Sequence, residues 1–185
     1  MTKRRTIRFF LIISAFLICI LQSSCSRASP PAGAEAVILA MIKTEENLPA
    51  GKIFSVATST TSATGSSELS PALASALYGQ EFSLLIYPDD AGGDVPITDM
   101  AVYLSAAKHP CELAVFRCSD ADTARSVAKH CLARLDTVKN AWRNSENGYR
   151  EYVDCAEVTI IKNYVLLAIS SHPELAFREA KKVIG

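Results

Sequence analysis

Hydrophobic and polar positions fall into distinct blocks along this chain of 185 residues, and the first block is the most uniform. Phe9 to Leu21 (FFLIISAFLICIL) is a run of thirteen residues without a charge, and Lys3, Arg4, Arg5 and Arg8 precede it with no acidic residue among them. A cationic start followed by a short apolar run is the pattern of a secretory signal peptide. A helix needs about 20 apolar residues to cross a bilayer, so this run predicts a segment that is removed, over residues 1–24. Ser26 to Gly33 (SRASPPAG) is small and proline-containing, which gives residues 25–33 the character of a tether.

Helical periodicity begins at Ala34. Ala34 to Thr44 (AEAVILAMIKT) predicts a helix with a broad apolar arc that ends near Asn47-Leu48-Pro49. Ser55 to Ser67 then holds nine Ser or Thr in thirteen residues with no periodic apolar face, which reads as a loop, with an exposed extended strand as the alternative. Residues 34–69 are accordingly a helix and a Ser/Thr-rich loop ahead of a domain over 70–185.

That domain opens with Ser70-Pro71, a cap followed by Pro at the first helical position, and its first helix carries Leu73, Leu77 and Tyr78 before Gly79 ends it. Phe82 to Tyr87 (FSLLIY) predicts a short strand. Ala101 to Ala106 and Glu112 to Cys118 predict paired strands joined through Lys108-His109-Pro110, and the second, apolar on both sides, predicts a central position. Ser119 or Asp120 caps the longest helix, where Ala124, Val127, Ala128, Cys131, Leu135, Val138 and Trp142 form a core stripe. Glu157 to Lys162 and Tyr164 to Ser170 predict a hairpin turning at Lys162-Asn163, with Asn supplying the positive φ. A last helix over Pro173 to Val183 is expected to start at a capping box, Ser171-x-x-Glu174, and to turn Leu175, Ala176, Ala180 and Val183 inward. Strand-strand-helix order repeated twice predicts an α+β fold: an antiparallel sheet of four or five strands with helices packed on one face.

The chemistry begins at the end of the apolar run. Leu21-Gln22-Ser23-Ser24-Cys25 places small residues before a cysteine, as a bacterial lipobox does, with Gln22 where an aliphatic residue is usual. Two other readings stay open: cleavage after Ser26-Arg27-Ala28 by ordinary signal peptidase, or retention of the segment as a short anchor. All three put the protein outside the cytoplasm; the lipobox reading anchors it to the cell membrane by a lipid on Cys25, and the second secretes it without one. Without residues 1–24 the chain keeps fifteen basic against nineteen acidic residues, a net charge of −4. That sign argues against a nucleic-acid partner, which requires a basic face.

Beyond Cys19 in the signal and Cys25, four cysteines remain, Cys111, Cys118, Cys131 and Cys155, enough for two disulfides in an exported protein. Cys111 and Cys118 bracket one strand and stand about 23 Å apart if it is extended, too far to pair with each other. Cys155 with Cys111 or Cys118 is the open pairing, and four small buried thiols are the other reading. His109-x-Cys111 and His130-Cys131 offer soft ligands, but neither CxxC nor HxxxH occurs, and adjacent helical residues diverge by about 100°. Asp89, Asp90, Asp94 and Asp99 miss the alternation of a calcium loop. No GxSxG, SxxK, GxxxxGKS or GxGxxG is present, so no catalytic site, cofactor or metal is assigned.

Leu77-Tyr78-Gly79, His109 to Cys118 (HPCELAVFRC), Cys131 to Asp136 (CLARLD) and Lys162 to Leu167 (KNYVLL) resemble domain-of-unknown-function family 4358. The resemblance runs from about Ala34 to the end. It implies a small exported bacterial protein, often a lipoprotein, and supplies no activity. Two functional readings follow. One is a noncatalytic envelope module that binds a protein, a peptide or a wall component through its sheet face or edge. The other is an extracellular thiol-redox or metal-binding protein using Cys111, Cys118, Cys131 and Cys155.

Overall fold

The computed structural model describes residues 31–56, 67–87, 95–106, 108–145 and 149–185. The signal, Cys25, most of the Ser/Thr-rich stretch and Asp89, Asp90 and Asp94 lie outside the described residues. Contacts divide the chain into Met1–Pro31 and a compact unit Ala32–Gly185. Within the second unit the order is α1 (Ala34–Ile42), β1 (Gly51–Ser55), β2 (Ser67–Glu68), α2 (Pro71–Tyr78), α3 (Gln80–Ile86), β3 (Ile97–Ser105), β4 (Glu112–Cys118), α4 (Ala121–Trp142), α5 (Arg150–Asp154), β5 (Glu157–Ile161), β6 (Tyr164–Ile169) and α6 (Pro173–Ile184).

The six strands form one sheet in the order β2-β1-β3-β4-β6-β5. Every neighbouring pair is antiparallel except β1 and β2, which run parallel over two residues, so the sheet is mixed and larger than the four or five antiparallel strands expected. Strand-strand-helix order does occur twice, as β3-β4-α4 and β5-β6-α6.

The two helices nevertheless cover opposite faces, which corrects the expectation of helices on one face. The cause is in the central strands. On β4, Ala114, Phe116 and Cys118 point into one layer with α2, α3, α4 and α5, while Leu113 and Val115 point into the other with α1 and α6. On β6, Val165, Leu167 and Ile169 alternate with Tyr164, Leu166 and Ala168 in the same way. A strand apolar on both sides needs both covered. Helix α1 supplies part of the second cover, burying Ala34, Val37, Ile38 and Met41, so the segment before Ser70 belongs to the same compact unit as the rest.

Local signals explain most boundaries. Ser70 Oγ accepts from the Leu73 N–H at 3.2 Å and Pro71 occupies the first turn of α2. Asp120, not Ser119, caps α4, its carboxylate accepting from the Thr123 N–H at 2.7 Å. Three expectations fail. Phe82 to Ile86 is helical and Tyr87 caps it, because Gly79 at φ 96° ends α2 and α3 starts at once, with Phe82 and Ile86 four residues apart on its buried side. The hairpin turn places Lys162, not Asn163, at positive φ (56°); the Asn163 amide instead donates to the Cys118 carbonyl at 2.5 Å. The capping box does not form, since His172 takes the cap position of α6 without a side-chain bond, and Val183 is exposed.

Register defines two ends of the sheet. At one, Asp99 pairs with Arg117 and Arg117 with Tyr164. The Asp99 carboxylate accepts from the Ala34 N–H at 2.7 Å and the Tyr164 hydroxyl donates to the Ala32 carbonyl at 2.6 Å, so the chain enters the folded unit there. At the other end, Leu104 pairs with Glu112 and Glu112 with Ile169.

Candidate functional site

Two of the sequence-predicted candidates, His109 and Cys111, lie at this second end together with several unpredicted polar groups. Glu112 opens β4 and, by strand alternation, points into the same layer as Ala114 and Phe116, where it is 2% exposed. A buried carboxylate is costly unless paired and hydrogen-bonded. Both needs are met: the Tyr78 hydroxyl donates to Oε1 at 2.8 Å, and Arg134 donates to Oε2 from Nε at 3.0 Å and from Nη2 at 2.8 Å. Tyr78 and Phe82 each pack edge to face on Phe116, with centroids at 5.3 and 5.2 Å, and lie tilted against each other at 4.7 Å. Burial, and then the Glu112 charge, hold the Tyr78 phenol well above its ordinary range. With both carboxylate oxygens engaged, the network ties α2, β4 and α4 together.

On the other side of Glu112, Lys108 adopts φ 69° and folds the loop so that His109 Nδ1 accepts the N–H of Cys111 at 3.1 Å. The neutral ring then carries its proton on Nε2. His109 lies against Tyr149 and Tyr152, with centroids at 4.6 and 4.7 Å, and Tyr149 lies against Trp142 at 5.3 Å. Burial lowers the His109 pKa, favouring the neutral imidazole. Ser170 Oγ is fully buried and Glu45 Oε1 is shielded from solvent, each without a hydrogen-bond partner among the described residues.

The four cysteines are not brought together. All are free; Cys111 lies in the layer of α1 and α6, Cys118 and Cys131 in the opposite layer, and Cys155 is exposed after α5. Burial first, then Glu45 and Glu112, raise the Cys111 thiol to about 12, and burial with Asp120 does the same for Cys118. Burial, then Glu112, pushes Cys131 well above the ordinary thiol range. Thiolate is the reactive form, so all three are held unreactive. His130 packs on Phe82 at 5.6 Å while Cys131 enters the core, diverging as their adjacency requires. Among the described residues no group of three His, Cys, Asp or Glu is placed to hold a metal.

Sequence reasoning missed Glu112, Tyr78 and Arg134 as a unit. A carboxylate at the head of an apolar strand was the available signal, since such a position demands a partner. It also missed a cleft of about 270 Å³ between the end of α4 and α5, lined by Lys139, Trp142, Arg143, Arg150, Val153 and Asp154. No family model, no curated protein and no solved structure matches the chain.

Proposed function

We propose that the protein is an exported bacterial lipoprotein, anchored to the outer side of the cell membrane through Cys25, whose folded unit is a noncatalytic binding module of the envelope. The observation that carries this reading is the succession of a cationic start, a thirteen-residue apolar run and Ser23-Ser24-Cys25 only seven residues ahead of a folded unit that begins at Ala32. Seven extended residues span at most about 25 Å, so a lipid on Cys25 would keep the start of the folded unit within that distance of the bilayer. Resemblance to the family of small exported proteins, carried by strand and turn residues, supports the same address.

The noncatalytic part rests on how the polar groups are used. Glu112, Tyr78 and Arg134 satisfy one another, and His109 bonds its own loop. Helices cover both sheet faces, so a partner would be met at an edge or in a surface cleft rather than on the sheet face. Detergent partitioning tests the anchor: the native protein enters the detergent phase and Cys25→Ala moves it to the aqueous phase. Equal partitioning of the two forms would remove the lipid from the reading.

A further inference from the structure

The cleft between α4 and α5 is the place where ligand chemistry is exposed. Helix α4 starts beside Cys118 at the tethered end of the sheet, and its twenty-two residues extend about 33 Å, which carries Trp142 to the opposite end. There the indole lines a wall of the cleft and packs on Tyr149, and Val153, 4% exposed, is buried behind it. Three cations, Lys139, Arg143 and Arg150, face one carboxylate, Asp154. Asp154 is bonded by Arg150 at 3.2 Å, and among the described residues Arg143 donates only to the side-chain oxygen of Asn140, at 3.1 Å. Among the described residues neither Lys139 nor Arg143 makes an ion pair.

We infer that this cleft binds an anionic saccharide, with a sugar ring beside Trp142 and its carboxylate or phosphate between Arg143, Arg150 and Lys139. A local excess of positive charge stands out in a chain whose exported form carries −4 overall. Guanidinium groups match the planar geometry of oxyanions, and an aromatic wall with a few convergent polar groups fixes a ring-bearing ligand. The choice of a sugar as the ring rests on the envelope reading above; the choice of an oxyanion rests on the cleft alone.

Trp142 is the single tryptophan of the chain, so its emission reports on this cleft and no other. The full chain, purified in detergent, is titrated with N-acetylmuramic acid, with N-acetylglucosamine (the same ring without the acid), with lactate (the acid without the ring) and with glucose 6-phosphate. Calorimetry runs in parallel. Saturable binding of N-acetylmuramic acid or glucose 6-phosphate is expected, the one that binds tighter naming carboxylate or phosphate as the anion. N-acetylglucosamine and lactate should bind at least about tenfold more weakly. Arg143→Ala and Arg150→Ala should each weaken binding about three- to tenfold, added salt should weaken it further, and Lys181→Ala on α6 should leave it unchanged. Neither heat nor a fluorescence change with any of the four, equal affinity for the neutral sugar, or full affinity in both arginine variants would overturn the assignment. Because the measurement is made on purified protein whether or not Cys25 carries lipid, its failure is separable from failure of the anchor.

Discussion

Glu112 concentrates the energetic risk of this fold in one side chain. Breaking a buried ion pair from one side leaves an uncompensated charge, at a cost of about 3 to 5 kcal/mol, so Arg134→Met should destabilise strongly in denaturant unfolding. Tyr78→Phe removes one hydrogen bond and should cost about 1 kcal/mol. Replacing both members of the pair, Glu112→Gln with Arg134→Met, should recover much of the single loss. A double variant as unstable as the sum of the two single variants would show that the pair is not coupled.

His109 adds a pH dependence of known sign. Its folded pKa lies below the ordinary 6.5, so between the two values the unfolded chain binds more protons and stability rises with pH. Stability should therefore be complete above about 6.5 and fall as the pH drops toward the folded value, with the fall reduced in His109→Gln. Thiol titration tests the same region of the molecule. Cys155, which is exposed, should react with a disulfide reagent in the folded protein, and Cys111, Cys118 and Cys131 only after unfolding. Rapid reaction of Cys111 in the native state would contradict the raised pKa and its burial.

At the scale of elements, α4 was legible because a 3.6-residue stripe and an acidic cap agree. Leu135, 5% exposed, faces the sheet, and Leu135→Ala should cost about 2 to 5 kcal/mol, against about 0.5 kcal/mol or less for Lys139→Ala. β4 and its central place were legible from apolar residues on both sides, and the same fact called for helices on both faces. Assigning them to one face followed element order alone, which does not record the side on which a crossover returns. α3 was misread because six apolar or small residues are too few to separate a period of 3.6 from one of 2, and the deciding feature is the backbone at Gly79. β1 was not legible because only Ile53 and Phe54 carry an apolar signal; its place is set by pairing with residues fifty positions away on β3. α1 shows where composition sufficed. Its apolar side chains needed cover, and Ile38, fully buried, gives the check: Ile38→Ala should cost about as much as Leu135→Ala. No loss at Ile38 would mean that α1 is only part of the tether.

The candidate site was legible only in pieces. His109 and Cys111 were visible as residue types, but their arrangement depends on a positive φ at Lys108 and on two tyrosines forty residues away. The cleft at Trp142 depends on how α5 returns against the end of α4, which no local pattern encodes.

For the whole molecule, the order of ends matters most. The chain enters at Ala32, beside Asp99 and Tyr164, and the aromatic and cationic cleft lies at the far end of a twenty-two-residue helix. Among the described residues no helix is long and apolar enough to cross a membrane. The central claim, which we propose, is export with a lipid at Cys25. The intact mass of the protein isolated from its native membrane tests that claim most directly. The account predicts a chain that begins at Cys25 and carries a diacylglycerol thioether on its sulfur. A chain that begins at Ser29, or that retains residues 1–24, with no added lipid mass, would contradict it.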